Sequence, residues 1–321
     1  MMPWLLTALG LVILLLAGDA LVKGAVNLSL RVGIPALIVS LTVVAFGTSA
    51  PELLISVNAV LDNKPGLGLG NVVGSNTANI LLVLGIPAIL SVLHTSSCSC
   101  SKSYLQMLAA SVLFILLAFR GVFDWIAGLV LLGGLALMLG GAFRDAIAHR
   151  RDAAITALSE PDGAEDVEGA DPSMPGWQII TFLVLGLVGL PLGADILVDN
   201  ASILAHRYGV SEAVIGLTLV AVGTSLPELA TTVMAALRKQ ADVALGNVIG
   251  SNMFNLLGII GVASLVGNIP VDAQFLNFDL WVMLGASLLI LPFVFFRLDI
   301  NRLWGIALTS AYVVYVSVIL I

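Results

Sequence analysis

Charge is scarce in this chain of 321 residues. Asp, Glu, Lys and Arg together make up 10% of it, against about 25% in soluble domains. Hydrophobic residues make up 59%, more than a soluble protein of this size can bury while keeping a solvated exterior. Lys and Arg number only 13 and the net charge is -7, so no basic surface for nucleic acid is expected. The composition indicates a membrane protein and argues against a soluble enzyme, a disordered chain or a fibrous repeat.

Cysteine is also rare, with only Cys98 and Cys100 present. A disulfide across one intervening residue is strained, so we expect two free thiols. His94 lies close by and leaves a metal site as an alternative, although two thiols and one imidazole fall short of the usual four ligands. The thiols have no assigned role.

Apolar runs of about 18 residues or more predict helices that span a bilayer. Nine polar breaks separate ten such runs, so we expect an all-α membrane protein with ten transmembrane helices. The first run has no positive segment before it, and we interpret it as a retained span rather than a signal peptide. The breaks lie at Arg31 and at residues 62–65, 94–103, 120–124, 144–175, 206–211, 238–242, 268–279 and 297–302.

An even number of spans places both termini on one side, and basic residues favour the cytoplasmic loops. With the termini outside, nine basic residues fall in inside loops and three in outside loops, so we predict both termini outside, in the cell (inner) membrane. The inside set is Arg31, Lys102, Arg144, Arg150, Arg151, Arg238, Lys239, Arg297 and Arg302, and the outside set is Lys64, Arg120 and Arg207.

The two halves of the chain repeat each other. LTVVAFGTSAPEL at residues 41–53 returns as LTLVAVGTSLPEL at 217–229, and LGNVVGSNTAN at 69–79 returns as LGNVIGSNMFN at 245–255, always at an offset of 176. Each copy has five spans, an odd number, so the copies should be inverted. We therefore divide the chain into a first five-helix repeat (1–143), a cytoplasmic acidic linker (144–176) and a second, inverted repeat (177–321). The linker composition predicts flexibility. A regulatory ion-binding loop is the alternative, but EF-hand spacing is absent.

Inverted repeats are typical of secondary transporters, whose substrate sites lie near the bilayer midplane. Glu52 and Glu228 each interrupt a long apolar run, where a charged side chain costs about 2.5 kcal/mol or more and usually serves function. The alternative is that both acids are purely structural and only make hydrogen bonds between helices. That interpretation does not explain why the same acid occurs in both copies.

Oxygen-bearing residues surround both acids in sequence. Thr48 and Ser49 precede Glu52 by four and three residues, which would place both hydroxyls on its face of a helix. Thr224, Ser225 and Glu228 repeat the pattern. Pro51 and Pro227 lack an N–H, so carbonyls one turn earlier lose their helical partners and could bind a cation.

A second stripe recurs every four residues. It consists of Asn71, Ser75 and Asn79 in one copy and of Asn247, Ser251 and Asn255 in the other. His and Cys are missing from these motifs, which favours hard cations such as sodium or calcium over zinc or copper. The alternative is that Ser, Thr and Asn residues in these motifs only hold helices together through hydrogen bonds. We assign that role to Asn76 and Asn252.

At these motifs the sequence resembles the sodium/calcium exchangers of the cation/calcium antiporter superfamily, over essentially the whole chain. The resemblance implies a calcium site at Thr48, Glu52, Thr224 and Glu228. It further implies sodium sites that add Ala45, Ser49, Ser75, Ala221, Ser225 and Ser251 through hydroxyls or backbone oxygens. Asn79 matches the family's usual residue. Asn255 departs from it, because many exchangers carry Asp there, and this weakens any case for potassium dependence.

Four further charged residues lie inside predicted spans. Asp19 and Lys23 are one helical turn apart, which favours an internal ion pair. Their counterparts Asp195 and Asp199 would attract cations at an entrance, or else simply reach the headgroups.

The predicted function is a secondary active antiporter that exchanges calcium for sodium by alternating access. We expect the protein not to be an enzyme and to need no cofactor or obligatory protein partner. Calcium and sodium would be the transported ions, and membrane lipid would surround the protein. A calcium/proton antiporter is the alternative within the class. A cation channel is the alternative outside it.

Overall fold

The computed structural model describes residues 2–98, 100–156, 171, 173–209 and 221–320. Within these ranges, eight helices are long and apolar enough to cross a membrane, or nine if the bent pair α2 and α3 counts as one span. The prediction of a helical membrane protein is confirmed to that extent. The helices are α1 Met2–Val32, α2 Ala36–Thr48, α3 Ala50–Leu61, α4 Pro65–Leu90, α5 Ser101–Ala118, α6 Trp125–Thr156, α7 Gly176–Arg207, α8 Leu226–Leu237, α9 Ala241–Val266, α10 Phe275–Phe295 and α11 Arg302–Leu320.

The remaining predicted span would begin at residues 211–220, which lie outside the described residues. Its described part is the helical turn Ala221–Gly223 and the short helix α8. Residues 157–170 and 172 of the predicted linker likewise lie outside them. Residues 144–156, which the sequence analysis assigned to the linker, instead continue helix α6. Ten spans and the repeat boundaries therefore stay predictions.

Short pairings tie the loops together at two places. Strand β1 (Val122–Phe123) pairs antiparallel with β2 (Ile269–Pro270), and a single bridge joins Leu93 to Ile300. Leu93 and Ile269 are 176 residues apart, so the two copies place equivalent loops in equivalent pairings. The loop that follows Leu93 lies beside the start of α9, where the side chains of Cys98 and Asp242 are neighbours, whereas β2 follows the end of α9. The pairings therefore lie at opposite ends of that helix.

The long helices α1 and α7 pack against each other along much of their length. Two glycines related by the offset allow this approach: a Cβ at Gly10 would lie 2.6 Å from the backbone N of Leu197, and one at Gly186 would lie 2.5 Å from Leu21 Cβ. Close packing through small residues is how helices associate in lipid, where the hydrophobic effect does not drive them together.

The intrahelical pair expected for Asp19 and Lys23 gives way to contacts between helices. Asp19 Oδ1 lies 2.5 Å from Nε of Arg238, which follows α8. Lys23 Nζ lies 4.7 Å from the centre of the Phe182 ring on α7. The side chains reach neighbouring helices because α1 is enclosed on those sides, so spacing along one helix did not decide their partners.

Helices α4 and α9 form the centre of the molecule and are the most buried of the eight spans in the described residues. They contact each other through amides: Asn76 Nδ2 donates to the backbone O of Asn252, and Asn252 Nδ2 to that of Asn76, both at 3.4 Å. This is the helix-joining role predicted for the two residues.

Candidate ion-binding site

The two GTS-x-PE motifs lie at interruptions of helices. Helix α2 ends at Thr48 and α3 begins at Ala50, with a bend of 44° between them. Ser49, at the bend, has φ -86° and ψ 5°, and its equivalent Ser225 has φ -88° and ψ 3°. A proline lies in the first turn of the helix that follows each serine, where its missing N–H costs nothing. The backbone conformation at the serine therefore recurs in both copies.

The two carboxylates lie at the start of α3 and α8, with Glu52 1% and Glu228 0% exposed. Glu228 Oε1 accepts hydrogen bonds from Ser49 Oγ at 3.1 Å and from Ser251 Oγ at 3.4 Å. Glu52 is close enough to Glu228 for the two acids to interact electrostatically. Residues from both copies therefore build one site.

The partner of Ser49 corrects the sequence analysis. Helical spacing predicted that the hydroxyls of Thr48 and Ser49 would face Glu52 in the same copy. Instead Ser49 contacts Glu228 of the other copy, and Thr48 Oγ1 lies 3.3 Å from Asn247 Oδ1 and 3.5 Å from Ser251 Oγ. The bend at Ser49 is the cause, because spacing rules hold only within a continuous helix.

Asn71 and Asn247 hold the two motifs in place, a role that the sequence analysis missed. Asn247 Nδ2 donates to the backbone O of Glu228 at 3.3 Å and to Thr232 Oγ1 at 3.1 Å. Asn71 Nδ2 makes the equivalent bonds to the backbone O of Glu52 and to Ser56 Oγ, at 3.4 and 3.3 Å. The hydroxyls of Ser56 and Thr232 are 176 residues apart, so the repeat offset itself could have revealed them.

Threonines cross from each motif to the asparagine of the opposite copy. Thr48 contacts Asn247, and Thr224 Oγ1 donates to Asn71 Oδ1 at 3.4 Å. These threonine contacts, like the bonds of Asn71 and Asn247, therefore recur at the offset of 176. The bonds that Ser49 and Ser251 donate to Glu228 do not recur at Glu52, whose carboxylate oxygens lack partners among the described residues. The pseudo-symmetry of the site is thus partial.

Several buried oxygens at this site have no hydrogen-bond partner within the described part of the chain. A buried polar atom without a partner costs about 1–3 kcal/mol, and a hard cation satisfies such oxygens well. The donors are carboxylate, hydroxyl and amide oxygens, which fit sodium or calcium as cargo. The unpartnered oxygens are Glu52 Oε1 and Oε2, Glu228 Oε2, Ser75 Oγ, Ser225 Oγ, Asn79 Oδ1 and Asn255 Oδ1.

The predicted site residues fall into three groups. Direct contacts join Thr48, Ser49, Glu228 and Ser251. Buried atoms without partners belong to Glu52, Ser75, Asn79, Ser225 and Asn255. The carbonyl of Ala45 accepts bonds from Ser49 N and Thr48 Oγ1, Thr224 bonds Asn71 as described, and Ala221 is described only as the start of a helical turn.

A cavity of about 450 Å³ adjoins the site. Asn71, Ser75 and Thr224 line its inner part, and Gly66, Gln274 and Ile319 lie around its far end. It therefore leads toward the start of α4 and α10 and the end of α11.

The fold and this pocket of buried oxygens define a helical membrane protein built around a polar centre. Its sequence matches the family model described as "Sodium/calcium exchanger protein" over residues 2–143 and 178–321. The chain belongs to that family and is thus a cation/calcium antiporter.

Similar proteins extend over nearly its full length. It is 34% identical to the putative antiporter CaxA of Alkalimonas amylolytica, which covers 95% of each chain. It is 34% identical to the sodium/calcium exchanger MaX1 of Methanosarcina acetivorans (98% of each) and 32% identical to the inner membrane protein YrbG of Escherichia coli (98% of this chain, 95% of that one). A solved structure of the sodium–calcium exchanger NCX_Mj matches with a TM-score of 0.82 at 30% identity, covering 99% and 98% of the two chains.

Proposed function

We propose that the protein exchanges calcium for sodium across the cell (inner) membrane, at a midplane site built from both inverted copies. The observation that carries this proposal is the pair of buried carboxylates, Glu52 and Glu228, with unpartnered oxygens around them. Two carboxylates neutralise one calcium or two sodium ions. Competition for the same oxygens couples the two fluxes, because ions of one kind must leave before the other binds.

The ligands are those predicted: Thr48, Glu52, Thr224 and Glu228 for calcium, with Ala45, Ser49, Ser75, Ala221, Ser225 and Ser251 for sodium. Asn79 and Asn255 complete the cage. Neutral oxygens are essential to this scheme, because the described residues contain no cluster of three acidic, histidine or cysteine side chains placed to hold a metal.

Alternating access is supported by an asymmetry at the two ends of the site. A Cβ at Gly250 would lie 2.6 Å from both Leu41 O and Ala45 Cβ, so α9 packs tightly against α2. The equivalent Gly74 has no heavy atom within 4 Å of such a Cβ and lines the cavity instead. With ten spans and both termini outside, the cavity lies on the path between the site and the outside of the cell. The contact between α9 and α2 closes the path between the site and the cytoplasm. The helices α1 and α7 are then the elements that move.

The test is calcium uptake into vesicles that hold the purified protein, driven in turn by a sodium gradient and by a proton gradient. We expect uptake with sodium alone. Glu52→Gln and Glu228→Gln should each abolish it while the protein still elutes as a single species, because the site loses half its charge. Asp145→Asn, an exposed change of the same charge, should leave it intact.

Uptake that follows only the proton gradient would favour calcium/proton exchange. A Glu52→Gln protein that transports at the normal rate would refute the site. Single-channel currents in a planar bilayer would indicate a channel instead.

A further inference from the structure

Asp279 is a buried acid that the duplicated site does not use. It lies in the π-helical first part of α10 and is 5% exposed. The residue 176 positions earlier is Ser103, so no second copy of this acid exists. An acid inside a membrane span is costly and is a candidate for a functional role.

The surroundings of Asp279 combine a hydroxyl partner with open space. Tyr315 Oη on α11 donates to Asp279 Oδ1 at 3.2 Å. Both residues line the 450 Å³ cavity, whose inner part is lined by Ser75. Ser75 is 3% exposed and its Oγ has no hydrogen-bond partner among the described residues. The cavity therefore joins the carboxylate to an unpartnered oxygen of the central site.

Most of the other lining side chains are apolar, among them Leu67, Phe275, Val316 and Ile319. Low-dielectric walls focus the field of a charge and raise the local concentration of ions of opposite sign. A single carboxylate in the wall consequently attracts cations into this cavity.

We propose that Asp279, with Tyr315, forms a separate cation-binding station in this cavity, which collects sodium or calcium before it passes Ser75 into the central site. The inference rests on the proposed function for its place on the route. The station has neutral hydroxyls and one carboxylate, so it binds cations more weakly than the central pair and releases them inward. A purely structural Asp279–Tyr315 hydrogen bond is the competing explanation.

Terbium, a hard cation that seeks oxygen ligands as calcium does, tests the station without transport. Tyrosine near the bound ion sensitises its emission, and Tyr312 and Tyr315 both line the cavity. The protein used is the full chain carrying Glu52→Gln and Glu228→Gln, which removes the central carboxylates. We expect this protein to show sensitised terbium emission. Adding Asp279→Asn should lower the emission about fivefold or more, whereas adding Asp279→Glu should retain it. Adding Asp145→Asn should leave it unchanged.

A transport measurement locates the station on the outer route. In otherwise unaltered protein, Asp279→Asn should raise the calcium concentration for half-maximal uptake about three- to tenfold at the outer face and leave it unchanged at the inner face. Right-side-out and inside-out vesicles separate the two faces.

If Asp279→Asn fails to fold, Gly74→Leu serves instead, because it fills the cavity and keeps the carboxylate. It should lower terbium emission and raise the outer half-maximal concentration. The proposal would be overturned if Asp279→Asn or Gly74→Leu did not lower the terbium emission. It would also be overturned if the calcium concentration for half-maximal uptake at the outer face stayed unchanged. Absence of sodium-driven uptake in the wild type refutes the proposed function alone, since loss of emission would still establish cation binding at Asp279.

Discussion

Asn252 and Asn255 lie one helical turn apart in α9 and are equally buried, at 1% and 0% exposure, yet their amides differ in use. Asn252 donates to the backbone of Asn76 and accepts from Asn79 Nδ2 at 3.1 Å. Both side-chain amide atoms of Asn255 lack partners within the described residues. Asn252 holds helices together, whereas Asn255 is available to an ion.

Asn255→Asp should therefore keep the fold and shift the preference of the site toward calcium. No hydrogen bond is lost, and the added negative charge attracts a divalent ion twice as strongly as a monovalent one. We expect the ratio of apparent calcium to sodium affinity to rise about threefold or more, measured by competition for calcium uptake.

Asn252→Asp is the matched control. It removes the donor to Asn76 and should cost about 1–3 kcal/mol of stability, seen as a lower unfolding temperature in detergent. Equal effects of the two substitutions on both measurements would refute the assignment of Asn255 to the site.

The two acids could be found from the sequence, but not the partners of their neighbours. Glu52 and Glu228 stand out because each interrupts an apolar run at the same place in a repeat. The bond from Ser49 to Glu228 joins residues 179 apart across a helix bend, and no local pattern encodes that distance. The sequence places Asp279 in the polar break at 268–279, whereas in the structure it lies inside α10 and is buried. Its burial depends on how α10 packs beside α11, which no local pattern shows.

Two equivalent glycines show that the helices of the two copies are packed differently. Gly250 of α9 lies against α2, while Gly74 of α4 faces the cavity. Their sequence surroundings, GNVIGSN and GNVVGSN, are nearly identical. This difference belongs to the conformation of the protein, and the sequence alone could not have predicted it.

Gly250→Ala should lower stability by about 1–3 kcal/mol, because its methyl group would be forced against Leu41 and Ala45. Gly74→Ala should be neutral or slightly stabilising, since its methyl meets open space and alanine favours a helix. Thermal unfolding of both variants in one detergent measures the difference. Identical unfolding temperatures would mean that the two ends of the site are equally open.

The ion pair between Asp19 and Arg238 connects α1 to the end of α8. Its side chains are 31% and 24% exposed, so water screens it in part. If α1 moves during transport, this pair stabilises the conformation in which it forms. Under the proposed topology, that conformation is the one closed toward the inner face. A partly exposed pair contributes about 1 kcal/mol, or roughly fivefold in the ratio of two conformations.

Arg238→Gln should accordingly make the inward-open state more populated. The calcium concentration for half-maximal transport at the inner face should fall up to roughly fivefold, with little change at the outer face. Lys102→Gln, which breaks the well-exposed pair with Asp145, is the control and should change neither value. An inner-face value that does not fall in Arg238→Gln would exclude a role for the pair in the conformational equilibrium.

For the molecule as a whole, duplication was the most informative property of the sequence. The offset of 176 predicted which residues are equivalent, and the contacts of Asn71 and Asn247 and the loop pairings follow it. Apolar runs located the helices because a bilayer demands about 20 apolar residues per span. Contacts between helices, such as that of Asp19 with Arg238, depend on the three-dimensional arrangement and were beyond the reach of these patterns.

The charge carried per cycle is a property of the entire molecule. The unpartnered oxygens come from both copies and from six residues, Glu52, Ser75, Asn79, Ser225, Glu228 and Asn255. The two carboxylates balance the charge of two sodium ions, and the four neutral residues supply further oxygens with which a third ion can bind beside them. We therefore expect three sodium ions to exchange for one calcium, so that one net positive charge crosses the membrane in each cycle.

Such transport must respond to voltage. A potential of 100 mV acts on one charge with about 2.3 kcal/mol, which changes the calcium ratio at equilibrium roughly 50-fold. The measurement fixes the sodium gradient across vesicles, imposes potassium diffusion potentials with an ionophore and finds the calcium ratio at which net flux reverses. Vesicles with Glu52→Gln protein report the leak. If the calcium ratio at which net flux reverses stays constant as the potential changes, the protein must exchange two sodium ions for one calcium without net charge. The neutral oxygens would then serve the passage of ions rather than the binding of a third sodium.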